Sequence, residues 1–274
     1  MLASRPSNGE RAPAPPPPPF ELRAHKSFHS EFLPADRDVL VYLPPRYAAE
    51  PARRYPVLYL HDGQNLFDGA TSFIRGQDWR VGQTADALIG AGAVEPLIIV
   101  GVYNTGHARV EEYTPAVDAR YKVGGKADLY GRLLVEELKP FIDARYRTLD
   151  GAAHTGLGGS SLGGLVSLYL GLRYPEVFGK LAVVSPSVWW GGRVILTHVS
   201  ALGARPPTRI WLDMGTAEGA RAAPDARDLR DALVAKGWSL DADLRYTEVA
   251  GGRHDEAAWA ERVGPFLRFL FPKA

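Results

Sequence analysis

From Tyr55 onward, compact apolar runs alternate with stretches of helical spacing, and this alternation restricts the chain more than any other feature. "YPVLYLHDG" (55–63) and "PLIIVGVYN" (96–104) are near-continuous and β-branched, the character of strands covered on both faces. Between them "WRVGQTADALIGAGA" (79–93) has helical spacing, which completes a strand-helix-strand unit. The pattern then repeats. "DLYGRLLVEELKPFIDARY" (128–146) reads as a helix opened by an Asp cap, with apolar Leu129, Leu133, Leu134, Leu138, Phe141 and Ile142 and a kink or break at Pro140. "AHTGLGGS" (153–160), "GKLAVVSPS" (179–187), "TRIWLDMG" (208–215) and "DADLRYTEV" (241–249) read as strands. "LGGLVSLYLGLRYP" (162–175), "APDARDLRDALVAKG" (223–237) and "DEAAWAERVGPFLRFLF" (255–271) read as helices. Upstream, "FELRAHKSFHSEFL" (20–33) and "RDVLVYLPPRY" (37–47) form a hairpin through the turn "PADR". The fold class expected is α/β, with a mostly parallel central sheet, an N-terminal antiparallel hairpin and helices on both faces. Functional residues then belong in loops beyond the carboxyl ends of the strands.

Residues 1–19, with their run of prolines, read as a disordered or extended tail, and residues 20–274 as one domain of 255 positions in the 274-residue chain. Lys plus Arg number 32 against 31 Asp plus Glu, so no overall field draws the chain to nucleic acid or an anionic membrane. No apolar run has the length of a membrane span or forms the h-region of a signal peptide. The cytoplasm is the default expectation, and the Pro-rich tail leaves a periplasmic or secreted location open. With no cysteine, thiol nucleophiles and Cys-ligated zinc are excluded.

Gly159-Ser160-Ser161-Leu162-Gly163 is a Gly-x-Ser-x-Gly. The pentapeptide alone is weakly specific, but here it follows an expected strand and opens an expected helix, as a nucleophile elbow must. Small residues are needed where strand and helix pass closely, and Gly159 and Gly163 supply them around Ser161. Around Ser160 the corresponding places hold Gly158 and bulky Leu162, so Ser161 is the candidate nucleophile. The stretch has no Gly-Lys-Ser/Thr ending of a phosphate loop.

A serine needs a base, and the base an orienting acid; in this strand-turn-helix setting the chain order is serine, acid, histidine. Two histidines follow Ser161. His198 lies in an apolar segment, whereas His254 sits on a glycine-bearing loop between the last strand and last helix, where the base belongs. Glu218, just beyond the strand "TRIWLDMG", is the candidate acid; Asp213, within that strand, is its rival. The oxyanion donors are the backbone N–H of Leu162, at a helix N-terminus, and that of Gln64, in the loop after the first parallel strand. His61 and Asp62 have no partner cluster at metal-ligand spacing and are read as shaping that loop, so neither metal nor other cofactor is expected.

With these residues assembled, the chain resembles the putative-esterase family of α/β hydrolases, which includes esterase D-like enzymes, feruloyl esterases and siderophore esterases. The likeness spans roughly residues 35–272 and is carried by "YPVLYLHDGQNLFD", "LIIVGVYN", "RVEEYTP", "ELKPFIDARYRT", "GGSSLGGLVSLYLGLRYPEVFG", "SPSVWW", "WLDMGTAEG" and "GGRHDEAAW". It implies a serine carboxylic-ester hydrolase working through an acyl-enzyme, with Ser161, His254 and Glu218 matching nucleophile, base and acid. Many relatives have Asp where this chain has Glu218, and some are described as working with a Ser-His pair alone. Trp79, Arg109, Glu112, Tyr113, Trp189 and Trp190 fall in segments that should reach the same face, and aromatic walls suit aryl or sugar-bearing acyl groups. The partner implied is a small-molecule or polysaccharide-linked ester: short-chain, feruloyl-type aryl or related, with a siderophore trilactone as an alternative. Acyl transfer to an alcohol on the same fold is a further alternative, and a non-catalytic binding protein would be expected to lack a triad position. Oligomeric state is not legible.

Overall fold

Strands β1 (Glu21–Phe28), β2 (Arg37–Leu43), β3 (Val57–His61), β4 (Ile98–Val102), β5 (Thr155–Ser160), β6 (Lys180–Val184), β7 (Arg209–Gly215) and β8 (Leu244–Val249) join in one sheet in the computed structural model, which describes residues 20–273. The order is β1-β2-β4-β3-β5-β6-β7-β8. β1–β2 and β2–β4 pair antiparallel, and every pair from β4 through β3 to β8 is parallel. The Pro-rich stretch at 1–19 lies outside the described residues.

Strands β3, β4 and β5 are buried at every position, the consequence of having helices on both faces. Two apolar clusters fill these faces. One gathers Tyr59, Val100, Leu157, Leu165, Val183 and Leu212; the other gathers Leu60, Ile99, Ala182, Trp259, Phe266 and Leu270. Consecutive strand residues divide between them, so the period of two in the strands is what separates the two layers.

The helices are α1 (Val81–Gly90), α2 (Arg109–Glu112), α3 (Ala127–Arg132), α4 (Lys139–Arg145), α5 (Leu162–Arg173), α6 (Trp190–Ser200), α7 (Ala222–Ala235) and α8 (Glu256–Leu270). Four details differ from the sequence expectation. β1 ends at Phe28, so residues 29–36, not a four-residue turn, connect the hairpin. The helix expected over 128–146 begins at Ala127 without a side-chain cap. It widens into a π-helical segment, Leu133–Leu138, immediately before Pro140, whose ring cannot donate an N–H to the preceding turn. Leu129, ahead of that segment, faces outward at 38% exposure, while Tyr130, Leu133, Leu134, Leu138 and Ile142 are buried. Finally, α6 has no counterpart in the sequence reading. It opens on three left-handed residues, Gly191, Gly192 and Arg193, which break the helical period at the point where a reader would look for it.

Helix α5 packs unusually close to the sheet, and its glycines are the reason. A Cβ on Gly164 would lie 2.7 Å from the Val184 carbonyl oxygen and 3.2 Å from that of Gly159, both backbone atoms that cannot swing aside. In an open helix Gly→Ala stabilises by about 1 kcal/mol. Here steric conflict reverses the sign, and Gly164→Ala is expected to destabilise by about 1–3 kcal/mol, lowering Tm by several degrees in a thermal melt.

Candidate active site

β5 ends at Ser160, α5 begins at Leu162, and Ser161 alone makes the turn between them. Its backbone sits at φ 60°, ψ −122°, a region that side-chain-bearing residues avoid at a cost of about 1–3 kcal/mol. The turn is held by neighbours: Ser161 N–H donates to Val184 O at 3.1 Å, and Ser187 N–H donates to Ser161 O at 3.0 Å. The flanking glycines have a specific neighbour as well. A Cβ on Gly159 or Gly163 would approach the His61 side chain at 3.1 and 3.4 Å respectively, so His61 on β3 fills the space beneath the turn.

The turn projects the Ser161 hydroxyl above the sheet, where Oγ lies 3.0 Å from His254 Nε2. On the far side of the ring, His254 Nδ1 lies 2.7 Å from Glu218 Oε2. A carboxylate only accepts, so Nδ1 carries the proton and Nε2 is left to accept from the serine hydroxyl. Residues 93 apart and 36 apart in sequence thus form one hydrogen-bonded chain. The ring is further fixed by Trp259, whose indole meets it edge-on at 4.9 Å.

Glu218 is buried, with 1% of its side chain exposed, and its other oxygen, Oε1, is saturated. It accepts from Gly215 N–H at 2.8 Å, Ser185 Oγ at 2.6 Å and Arg262 Nη2 at 3.0 Å. Burial alone would push its pKa up; the hydrogen bonds from His254 and Ser185, and the charge of Arg262, outweigh it and hold the carboxyl below the ordinary glutamate value. Asp213, the rival acid, faces elsewhere. Wholly buried at the end of β7, it accepts from Trp211 Nε1 at 2.6 Å, Arg262 Nη1 at 2.8 Å and Ser185 N–H at 3.2 Å, with no contact to His254.

Leu162, first residue of α5, has no acceptor within its helix for its N–H. Gln64 lies in the short 3₁₀ turn Gly63–Asn65, entered through a left-handed Asp62. Gly63 makes this turn feasible: a Cβ there would be 2.6 Å from the Gly101 carbonyl carbon of β4.

Two hollows share His254. One, about 410 Å³, is walled by Pro186, Ser187, Val188, Trp189 and Met214, and reaches His254. The other, about 250 Å³, holds Ser161 and His254 among Asp62, Phe73, Asn104, Arg109 and Trp259. Of the residues expected to meet substrate, Trp189 and Arg109 line these hollows. Arg109 is not a free cation there, because its Nε and Nη2 bind the two Asp62 oxygens at 2.7 and 2.8 Å. Burial works to raise the Asp62 pKa, but Arg109 beside it prevails and holds it down. Trp79, Tyr113, Glu112 and Trp190 do not reach the cavity. Trp79 is buried behind Trp259, with ring centroids 5.8 Å apart. Tyr113 is wholly buried, its hydroxyl 3.3 Å from Asp62 N. Glu112 is enclosed in an ion pair with Arg37 at 3.0 Å, and the Trp190 indole donates to Ala116 O at 2.9 Å. Tyr113, Glu112 and Trp190 find internal partners for their polar atoms, whereas Trp79, whose buried Nε1 has none among the described residues, is held away from the cleft by its packing on Trp259. His61 and Asp62 shape the loop: His61 Nδ1 contacts the Tyr130 hydroxyl at 2.9 Å, and burial pushes its pKa down to about 3, so the ring is neutral.

A profile of the family described as "Putative esterase" matches residues 30–270. The chain belongs to the Esterase family. It is therefore an enzyme of hydrolase type, on an eight-stranded hydrolase fold. This esterase is 27% identical to uncharacterized protein YbbA of Bacillus subtilis over 69% of its own length and 72% of the relative's. It is 30% identical to the iron(III) salmochelin esterase of Escherichia coli over 81% of its length, spanning about half, 51%, of that larger protein. The structure of a ferulic acid esterase superposes with a TM-score of 0.72 at 18% identity, covering 92% of this esterase and 98% of the other chain, and so shares the fold. No helix among the described residues is long and apolar enough to cross a membrane.

Ser185, Ser187, Phe73, Trp259 and Arg262 were not singled out from sequence. Arg262 alone left a signal. It falls on the stripe of Trp259, Val263, Phe266 and Leu270, where a charge is out of place unless it is paired.

Proposed function

We propose that this esterase hydrolyses carboxylic esters through an acyl-enzyme formed on Ser161. The observation that carries the reading is the chain Glu218–His254–Ser161, with spacings of 2.7 and 3.0 Å, ending on a serine held at φ 60°. In this scheme Ser161 Oγ attacks the ester carbonyl while His254 Nε2 takes its proton, and Glu218 stabilises the imidazolium that forms. His254 then returns the proton to the departing alcohol. Water, activated by the same imidazole, releases the acid and regenerates the serine. The N–H groups of Leu162 and Gln64 receive the oxyanion, the first with the added field of the α5 N-terminus. Gln64→Pro removes one of these donors and is expected to lower kcat by about 10²- to 10³-fold with KM little changed.

The two hollows separate acyl group and alcohol on either side of the reacting pair. Trp189, 48% exposed, and Phe73, 85% exposed, offer aromatic surface in different hollows, which supports esters with an aryl group. A siderophore lactone is the second reading, favoured by the likeness to the salmochelin esterase. The decisive experiment is a panel of p-nitrophenyl acetate, methyl ferulate and a catecholate trilactone, run beside labelling with a fluorophosphonate. Turnover of at least one ester and an adduct mapped to Ser161 are expected. A folded protein with neither would overturn the proposal.

A further inference from the structure

Beneath the candidate triad lies a second layer of charge that the reaction scheme does not use. Arg262, on α8, is 2% exposed and directs its guanidinium at two buried carboxylates. Nη1 lies 2.8 Å from Asp213 Oδ1, on β7, and Nη2 lies 3.0 Å from Glu218 Oε1, on the loop that follows. The same guanidinium donates to Ser185 Oγ, whose own proton goes to Glu218 Oε1 at 2.6 Å. The loop carrying His254 rests on it too: Nη2 lies 3.5 Å from the Arg253 carbonyl, and a Cβ on Gly252 would meet it at 2.8 Å.

We propose that Arg262 is a positioning residue that keeps Glu218 ionised and aimed at His254. The proposal rests on the serine-hydrolase reading of the same site. Two carboxylates, 0% and 1% exposed, bridged through a single serine, are too costly to leave ionised together without a compensating cation. Burial pushes the Asp213 carboxyl up even beside Arg262; with both carboxylates ionised, Asp213, Glu218 and Arg262 sum to a charge of −1. The cluster thus becomes neutral when His254 takes the serine proton, the moment at which the imidazolium needs a counter-charge. Without Arg262, one of the carboxylates must hold a proton, and a protonated Glu218 neither orients nor stabilises the imidazole. The ionisable groups in contact with Glu218 among the described residues are His254 and Arg262, with Asp213 on the far side of the guanidinium. Packing alone does not require an arginine here. Its Nε is buried with no partner among the described residues, which a methionine of similar length would avoid.

Sign and direction follow from these contacts. The reaction needs Glu218 ionised and His254 neutral at once, and Arg262 helps hold the Glu218 carboxyl below its ordinary value, so the pH at which the carboxylate is lost lies low. Removing the cation raises this point. In Arg262→Met the acid limb of kcat/KM for p-nitrophenyl acetate is expected to move up by a pH unit or more, a loss of about tenfold or more on the acid side of the limb. Arg262→Lys, which keeps the charge, should leave the limb within a few tenths of a unit of wild type. Asp213→Asn placed on Arg262→Met removes the competing carboxylate and should bring the limb back down. An Arg262→Met limb coincident with wild type overturns the proposal, as does a double variant that titrates like the single one. If Arg262→Met does not fold, the test passes to Arg262→Lys, for which a limb raised by a unit overturns it. The wild type separates the two readings: absence of hydrolysis and of a fluorophosphonate adduct on Ser161 sinks the triad, whereas an active wild type with an unmoved Arg262→Met profile sinks only the role of Arg262.

Discussion

Ser161→Ala is expected to reduce kcat/KM for p-nitrophenyl acetate by about four to six orders of magnitude, while circular dichroism and Tm stay close to wild type. The loss corresponds to about 5–8 kcal/mol of transition-state stabilisation, because each decade of rate is worth 1.36 kcal/mol. Alanine deletes only Oγ, and the backbone bonds that hold the turn, Ser161 N–H to Val184 O and Ser187 N–H to Ser161 O, do not involve the side chain. The residual rate should come from the oxyanion donors and binding alone. Loss of a factor below ten would place the nucleophile elsewhere. Ser187 would be the first alternative, its Oγ lying 3.3 Å from that of Ser161.

Glu218→Gln is the second large effect, with kcat expected to fall by about 10³- to 10⁴-fold. Glutamine has the same shape, but its NH2 cannot accept. If it faces His254, it forces the proton onto Nε2, where the ring can no longer take one from Ser161. It also leaves Arg262 with one carboxylate fewer. Asp213→Asn is the control, because Asp213 makes no contact with His254 and its loss should cost no more than about tenfold. Stopped-flow or steady-state rates on the two variants separate the assignments. Equal losses, or the larger loss at Asp213, would contradict the geometry of the proposed triad.

Much of the architecture was legible because it is local. Whether a strand is buried on one face or two shows in its own residues, as in "LIIVGV", and β3, β4 and β5 are buried throughout. The elbow is legible for the same reason: a strand, a single sharp residue and a helix are consecutive, and the glycines around Ser161 are needed within five residues of it. His254 and Glu218 could be singled out because each follows a strand, and ends of parallel strands gather on one side of a sheet. The misreadings are also physical. α6 escaped because three left-handed residues interrupt its period. Leu129 was set inside on its apolar character, yet it lies off the buried stripe that Tyr130, Leu134, Leu138 and Ile142 form.

Periodicity reports that a side chain is turned inward or outward, and chain order reports which strand end a residue follows; both are properties of neighbours in sequence, so strands, elbow and the order serine, acid, histidine could be read from the chain alone. What an inward side chain meets depends on elements far away in sequence. Only the packed structure shows that Trp79 faces Trp259 and not the cavity, that Arg109 is spent on Asp62, and that Glu218 rather than Asp213 lies against His254. The same holds for Arg262, whose charge on an apolar stripe has no partner within its own helix and finds two carboxylates 49 and 44 residues away.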